Sequence, residues 1–599
     1  MKLPRIIAAF LLLLVPAAAT ELTDQTWYEV TSPNFIVISN AGEKHAREAA
    51  RQLEEFRAVF QRGFPSFRMS AAAPTVVLAV KDENTMHELA PWFWEQGSVR
   101  PVGLFVAHWE TNYALLRLDL ADSSEVIFHE YVHQLERLNF IGLPAWVNEG
   151  LAEYYGNTKI ESDEVKLGLP SPRLRLLREH APIPVEELLT QRSSHSQGDF
   201  QAQIFYAECW ALTHMLIAGP GMGNGEKMDQ FLKQLQGRSD QLAAFRQVFG
   251  EPGQIDQQLQ HYIRQYAIAA MRMKNPPKVE EGAFASRALK ADEVAADLAG
   301  FEASAHGGKQ AQHWLDLALQ QKPGPAAAHR VQGFRSFGEG KDNDALSEFA
   351  LASSLDPKDY LSAYYAAMLR RQNAKNANPD AELAQALKQV RALNPSFAPA
   401  HVELSRVYMS LKQPEMALAA AKYAADMEPG RAGYHLNVAR ILLQQGQAAE
   451  SAITARYVAQ RWYGTDRDQA LEIWREALAH NSPPAPGTAP SNVAPAIDVL
   501  SDAPQGSSEA SGVVKSVHCG DSGTLELTLQ ADNHSEEFVR KKGAPLEVGF
   551  EDTLWFGDHF NVCHRLEGQR AVIHYKPAAS KDAANELVRL RACDSTGTH

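Results

Sequence analysis

Residues 123–156 read SSEVIFHEYVHQLERLNFIGLPAWVNEGLAEYYG, and this stretch decides the fold of the N-terminal half of the chain. Asp122 followed by Glu125 resembles a capping box, and no glycine or proline then occurs before Gly142. Gly142 and Pro144 end the first helical stretch, and helical spacing resumes in residues 146–155. The stretch therefore predicts a helix, a turn and a second helix.

The first of these helices carries a zinc-binding pattern, HExxH. His129 and His133 are four residues apart, so they project from one helix face and can hold a single Zn²⁺ through their imidazole nitrogens. Glu130 lies beside them, where a carboxylate can accept a proton from an activated water and deliver it to a leaving amine. The pattern predicts Zn²⁺ as the cofactor and Glu130 as the catalytic residue.

The second helix carries Glu149 and Glu153, again four residues apart on one face. A second helix that returns a carboxylate to a histidine pair completes a His₂Glu zinc site with its fourth position open to water. Two other interpretations remain: the histidines are packed in a core and the glutamates face solvent, or the site binds zinc without catalysis.

The segments HEYVH and AWVNEGLAEYY resemble the gluzincin metallopeptidases, and most closely the peptidase-MA-like domains of bacterial proteins. The resemblance implies a thermolysin-like α+β domain, an endopeptidase activity on protein or peptide substrates, and Glu149 as the third zinc ligand. It also implies that Glu153 supports the first histidine from outside the metal shell. His133 and Glu149 are closer in sequence than is usual in the family, and Glu153 as the ligand would restore the longer separation.

A strongly apolar helix is predicted at FYAECWALTHML, residues 205–216. A Tyr-bearing helix follows the zinc motifs in peptidase-MA-like domains, so Tyr206 and His214 are candidate donors to the tetrahedral oxyanion. The alternative is that both side chains simply pack in the core.

Short β-branched segments precede the zinc motifs and predict a sheet. They are NFIVISN, PTVVLAVKD, GLFVAHW and YALLRLDL, with a helix after the first. Gluzincins pair the substrate backbone with an edge strand of such a sheet, and either of the last two segments is a candidate for that edge. The metallopeptidase domain is predicted to span residues 20–275.

Residues 1–19 have the pattern of a secretory signal peptide, with Lys2 and Arg5 before an apolar run and cleavage near Ala19. No later segment is apolar for long enough to cross a membrane, so we expect a periplasmic or secreted protein without a membrane span in the mature chain. The net charge of -14 and the pI near 5.9 argue against a nucleic-acid partner.

Residues 284–480 are Ala-rich and predict an all-α tetratricopeptide repeat (TPR) solenoid with a period of about 34 residues. Two copies of the pattern are Gly333, Ala345, Phe349, Ala352 and Pro357, and then Ser405, Tyr408, Ala417, Ala424 and Pro429. Each unit is a helix pair that buries its apolar face only by stacking, and such a solenoid commonly binds a protein partner. The alternative is a rigid spacer.

A Pro-rich linker is predicted at residues 481–512, followed by a small all-β barrel or sandwich at residues 513–599. Cys519, Cys563 and Cys593 allow one disulfide with one thiol remaining, which an exported chain permits.

These observations predict a multidomain, exported zinc metallopeptidase whose TPR solenoid recruits a substrate or partner. The alternative is a non-catalytic periplasmic TPR interaction or scaffold protein with a degenerate peptidase domain. Zinc content and the behaviour of a Glu130→Gln variant distinguish the two.

Overall fold

The computed structural model describes residues 21–69, 74–95, 103–106, 110–120, 123–140, 143–190, 199–235, 240–265, 268, 270–305, 309–374, 379–462, 464–481, 507–520, 524–531, 534–541, 546–550, 561–578 and 584–593. The predicted signal peptide and most of the predicted linker lie outside these residues. No helix in the described ranges has both the length and the apolar character needed to span a membrane.

The N-terminal part is built around one mixed sheet of six strands. The strands of this sheet are β1 (Tyr28–Thr31), β2 (Phe35–Ser39), β3 (Thr75–Val80), β4 (Gly103–Val106), β5 (Asn112–Arg117) and β9 (Ala285–Ala288). The intervening strands β6 (Lys159–Ile160), β7 (Glu164–Leu167) and β8 (Met271–Lys274) form a separate small sheet. The strand order in the large sheet is β4-β5-β3-β2-β1-β9, with β2, β3 and β5 parallel and the other pairs antiparallel. The sheet therefore takes its last strand from beyond residue 275, the boundary predicted from the sequence.

Helices cover both faces of this sheet, which is why β3 is buried at every position. The helices of the N-terminal part are α1 (Glu43–Gly63), α2 (Glu83–Leu89), α3 (Trp92–Glu95), α4 (Ser123–Asn139), α5 (Ala145–Gly156), α6 (Leu174–Glu179), α7 (Val185–Thr190), α8 (Asp199–Ala218), α9 (Glu226–Leu235), α10 (Gln241–Val248) and α11 (Pro252–Tyr262). Val77 packs in the core that contains α1, α4 and α5, whereas its neighbour Leu78 packs in the core on the other face. The two helices predicted within residues 123–156 are present as α4 and α5.

A stack of helices follows the sheet, and each helix packs against the next. The helices are α12 (Ala291–Ala305), α13 (Lys309–Ala318), α14 (Ala326–Gly338), α15 (Asp342–Leu355), α16 (Tyr360–Gln372), α17 (Pro379–Leu393), α18 (Ala398–Ser410), α19 (Pro414–Met427), α20 (Ala432–Gln444), α21 (Ala448–Arg461) and α22 (Gly464–Asn481). Gly333 permits the close approach of α14 and α15, since a Cβ there would lie 2.7 Å from the Phe349 ring. The helical-repeat prediction is confirmed by this arrangement.

A repeated hydrogen bond, which the sequence analysis missed, marks the turns of the solenoid. In three repeats a histidine Nε2 lies within hydrogen-bonding distance of the carbonyl of a proline six residues earlier. The pairs are His329 with Pro323, His401 with Pro395 (3.0 Å) and His435 with Pro429 (3.0 Å). The histidines satisfy carbonyl groups that the turn would otherwise leave without a backbone partner.

The C-terminal part is a small barrel, as one of the two predicted alternatives requires. Its elements are β10 (Ser508–Cys519), β11 (Leu525–Gln530), β12 (Ser535–Arg540), β13 (Glu547–Phe550), α23 (Val562–Arg565), β14 (Arg570–Lys576) and β15 (Asn585–Cys593). The pairings run β12-β11-β10-β14-β15, and β15 returns to pair with β12, which closes the barrel. Cys519 and Cys563 form a disulfide, and the side chain of Cys593 lies outside the described residues.

The solenoid contacts the sheet and the barrel at different places. α12, α13 and α14 contribute to the core on the second face of the sheet, and the Tyr365 hydroxyl in α16 donates to Glu110 at 2.7 Å. From the barrel, Arg565 pairs with Asp342 at 2.7 Å and stacks over Phe337 at 3.9 Å. Arg589 and Arg591 pair with two carboxylates of α22, on Asp468 (2.9 Å) and Glu472 (3.0 Å).

Candidate metal centre

The structure brings the three predicted ligands together. The Nε2 atoms of His129 and His133 are 3.1 Å apart, and Glu149 Oε2 lies 3.7 Å from the first and 3.5 Å from the second. A tetrahedral zinc ion with bonds of about 2.0–2.1 Å requires ligand atoms about 3.3 Å apart. Within the described residues, these three side chains form the one cluster of at least three potential ligands whose atoms converge in this way.

The sequence positions these side chains through close packing of helices. Gly156 at the end of α5 lies against His129, where a Cβ on the glycine would be 3.1 Å from the histidine Cβ. Gly150 lies against α8, where a Cβ would be 2.8 Å from the Cys209 carbonyl and would overlap the Thr213 hydroxyl. α5 therefore fits between α4 and α8, and Glu149 is directed toward the two histidines of α4.

Each histidine has its second ring nitrogen next to a carboxylate. Glu153 Oε1 lies 3.7 Å from His129 Nδ1, and Glu136 Oε2 lies 3.0 Å from His133 Nδ1. Both rings thus point Nε2 at the common centre and Nδ1 at an acid, as histidine metal ligands do. Glu153 occupies the position implied by the family resemblance. Glu136 was not identified from the sequence, because its spacing of three residues from His133 is common on helices and carries no signal without knowledge of burial.

The charges of this cluster favour a cation at its centre. Burial raises the pKa of Glu130 to about 7 and that of Glu136 to about 7, and it also raises the pKa of Glu153. Burial by itself favours neutral His133, but hydrogen bonds and Coulomb attraction from Glu136 and Glu149 outweigh it and raise the pKa of His133 to about 10. Several buried acids around one point are expensive unless a positive charge accompanies them. A divalent cation held by the two imidazole nitrogens and the Glu149 carboxylate would supply that charge in place of the proton that the neighbouring acids attract to His133.

Glu130 lies on the same helix, between the two histidines in sequence, and is partly buried. Its pKa near 7 reflects loss of solvent first, with the positive influence of His133 partly opposing it and Glu149 adding to it. A carboxyl group in this range can both accept and return a proton at neutral pH. The catalytic role of Glu130 stays a prediction.

His214 is a core residue. Its Nδ1 lies 2.9 Å from the Tyr262 hydroxyl and its Nε2 lies 2.7 Å from the carbonyl of Gly168. Because a carbonyl only accepts, Nε2 carries the proton and Nδ1 accepts from the hydroxyl. Burial lowers the pKa of His214 to about 4, so the ring is neutral. Both nitrogens are used inside the core, which leaves His214 no N–H to offer an oxyanion.

Tyr206 is connected to the cluster through Arg173. The guanidinium of Arg173 is 5.7 Å from its ring centroid, and the same guanidinium is hydrogen-bonded to Glu153. Tyr206 thus remains the candidate oxyanion donor of the predicted pair. In the large sheet, β4 is an edge strand among the described residues. The guanidinium of Arg137 from α4 lies 5.8 Å from the ring centroid of Phe105 in that strand.

No protein-family model matches the chain, and no curated protein is similar to it in sequence. Solved structures give matches to parts of it. They include MamA (19% identity, TM-score 0.21, 28% of this chain and 86% of that one), a TPR protein of Thermus thermophilus (19%, 0.25, 31% and 99%) and PilF of Pseudomonas aeruginosa (16%, 0.26, 32% and 88%). At these TM-scores the matches add nothing to the helix packing described above.

Proposed function

We propose that the chain is an exported zinc metallopeptidase that hydrolyses peptide bonds in protein substrates. The observation that carries the proposal is the convergence of His129, His133 and Glu149 at mutual distances that suit a tetrahedral zinc ion. We also propose that the N-terminal domain has a thermolysin-like fold. A zinc ion held by these side chains supplies Lewis acidity to the attacked carbonyl and to water.

The chain's own residues divide the remaining tasks. Glu130 accepts the proton of the attacking water and returns it to the leaving amine, which its pKa near 7 suits. Glu153 and Glu136 hold the ligating imidazoles by their Nδ1 atoms. Within the part of the chain that the structure describes, β4 is an edge strand of the large sheet, and its outer side offers backbone groups to an extended peptide. Tyr206 is the candidate donor to the oxyanion.

The test compares wild-type protein with Glu130→Gln. We expect both to hold about one zinc ion, because Glu130 is not a ligand, and we expect only the wild type to cleave a denatured protein. Metal content is measured by elemental analysis and cleavage by mass spectrometry of the products. Equal cleavage by the variant would refute the assignment of Glu130.

A second candidate function is that of an interaction or scaffold protein, in which the metal site is structural. The observation that favours it is a series of exposed apolar side chains on alternate helices of the solenoid. They are Leu351 in α15, Leu393 in α17, Tyr423 in α19 and Ile453 in α21. Contiguous exposed apolar surface is typical of protein-binding sites, and here an exposed apolar side chain recurs on every second helix from α15 to α21. Stoichiometric zinc without any hydrolysis by the wild type favours this second function.

A further inference from the structure

Glu136 lies one helical turn beyond His133 on α4, and its side chain is only 5% exposed. Its Oε2 is 3.0 Å from His133 Nδ1, which is a hydrogen-bonding distance. The corresponding distance between Glu153 Oε1 and His129 Nδ1 is 3.7 Å, which is too long for a hydrogen bond. The two outer carboxylates of the site are therefore not equivalent.

The second oxygen of Glu136 sharpens the difference. Among the described residues, Oε1 is buried and has no hydrogen-bond partner. Glu153, by contrast, is also paired with the guanidinium of Arg173. Burying a carboxylate with one partner is costly unless that partner carries positive charge. The partner of Glu136 is a histidine whose other nitrogen faces the proposed metal position.

We infer that Glu136 is a positioning residue of the metal centre, which fixes the ring of His133 with Nδ1–H donated to its carboxylate and the Nε2 lone pair directed to the metal. The inference rests on the proposed zinc site and assigns to it a residue outside the HExxH and NEG motifs. Arg173 satisfies Glu153 independently of the metal, whereas Oε1 of Glu136 has no hydrogen-bond partner among the described residues. Glu136 is accordingly the outer carboxylate on which metal retention depends more strongly.

The experiment uses the full chain and the variants Glu136→Gln and Glu136→Leu, each titrated with a chromogenic zinc chelator. Glu136→Leu removes the acceptor, and we expect it to weaken zinc binding by about 10 to 100-fold. Glu136→Gln keeps an acceptor oxygen and loses the charge, so we expect a smaller loss than for leucine. Gln134→Leu is the matched control, because Gln134 is a buried polar residue of the same helix that contacts Thr75 and not a histidine.

Cobalt substitution gives a readout that a purely structural role does not move. The visible absorption spectrum of Co²⁺ bound to Glu136→Leu should differ from that of the wild type, because the His133 ring loses its fixed orientation, while the control keeps the wild-type spectrum. A folded Glu136→Leu with wild-type zinc affinity and cobalt spectrum overturns the inference. If that variant does not fold, a Glu136→Gln variant with wild-type zinc affinity and cobalt spectrum also overturns the inference. A wild-type protein that binds no zinc overturns the proposed function as well, and this outcome is separate from the first two.

Discussion

Glu149 and Glu153 lie one turn apart on α5 and approach the same histidine from two sides. Glu149 Oε2 is near His129 Nε2, and Glu153 Oε1 is near His129 Nδ1. We expect Glu149→Ala to lose zinc at a modest chelator concentration, because it removes a ligand. We expect Glu153→Ala to weaken binding by about 10-fold, the lower end of the usual cost of a lost outer partner and less than for Glu136→Leu, because Glu153 lies 3.7 Å from His129 Nδ1 and is also paired with Arg173. If titration shows Glu153→Ala empty and Glu149→Ala filled, the two roles are exchanged.

Glu208 gives a prediction on stability that does not involve the metal. It is buried in α8 and accepts a hydrogen bond from the Ile183 backbone N–H at 2.9 Å, and burial raises its pKa from 4.5 to about 8. Between pH 4.5 and 8 the folded chain keeps a proton that the unfolded chain releases, so the free energy of unfolding falls as the pH rises. Glutamine keeps the acceptor and cannot ionise.

We therefore expect Glu208→Gln to melt at a higher temperature than the wild type at pH 8, with the difference shrinking toward pH 5. Calorimetry at both pH values and equal ionic strength measures this. A difference in Tm that does not depend on pH would contradict the account.

At this scale the sequence predicted the residues whose spacing is itself a signal. His129, His133 and Glu149 fall in motifs, and the structure brings them together. Glu136 was missed because a glutamate three residues after a histidine is common on helices and gains meaning only from burial. His214 could not be separated from a site residue because its partners, Gly168 and Tyr262, are distant in sequence.

The contact between α5 and α8 carries the prediction at the scale of elements. Gly150 has no room for a Cβ, so Gly150→Ala should push α5 away from α8 and destabilise the chain by about 1–3 kcal/mol, the usual cost of overpacking. Gly63→Ala at the end of α1 is the matched control, because a Cβ there meets nothing within 4 Å and alanine is the better helix former. Urea denaturation measures both. A Gly150→Ala variant as stable as the control would show that the helices separate freely.

Among the elements, those with a period were the predictable ones. The repeat pattern of Gly333 and Phe349 predicted a helix pair, and alternating apolar residues predicted the barrel strands. β9 was not foreseen, because its residues are mostly exposed and lack apolar alternation, and it is a strand only through its antiparallel pairing with β1. The start of β10 at Ser508, within the predicted linker, was missed for the same reason. The first residues of β10 alternate between partly buried and exposed, and few of them are strongly apolar.

On the scale of the whole molecule, the sheet depends on helices from the predicted solenoid. Ile38, Leu78 and Leu115 face the core that α12, α13 and α14 complete. A fragment of residues 21–275 lacks these helices and β9, so we expect it to aggregate. A fragment of residues 21–338 retains them, and we expect a soluble protein with a cooperative thermal transition. Size-exclusion chromatography and circular dichroism compare the two, and a monomeric, cooperatively melting shorter fragment would show that the sheet folds without the solenoid.

Arg565, Arg589 and Arg591 of the barrel bind two parts of the helical stack that are distant in sequence. Arg565 binds at the turn between α14 and α15, whereas Arg589 and Arg591 bind α22. A stack of helix pairs in which each pair touches only its neighbours can extend along its length, because no contact joins distant pairs. A stack held at two places by one barrel cannot lengthen until one of these contacts breaks, and the contacts are charge-assisted bonds made by arginine side chains that are at most 9% exposed. The length of the helical stack is therefore set by the barrel, which follows it in the chain.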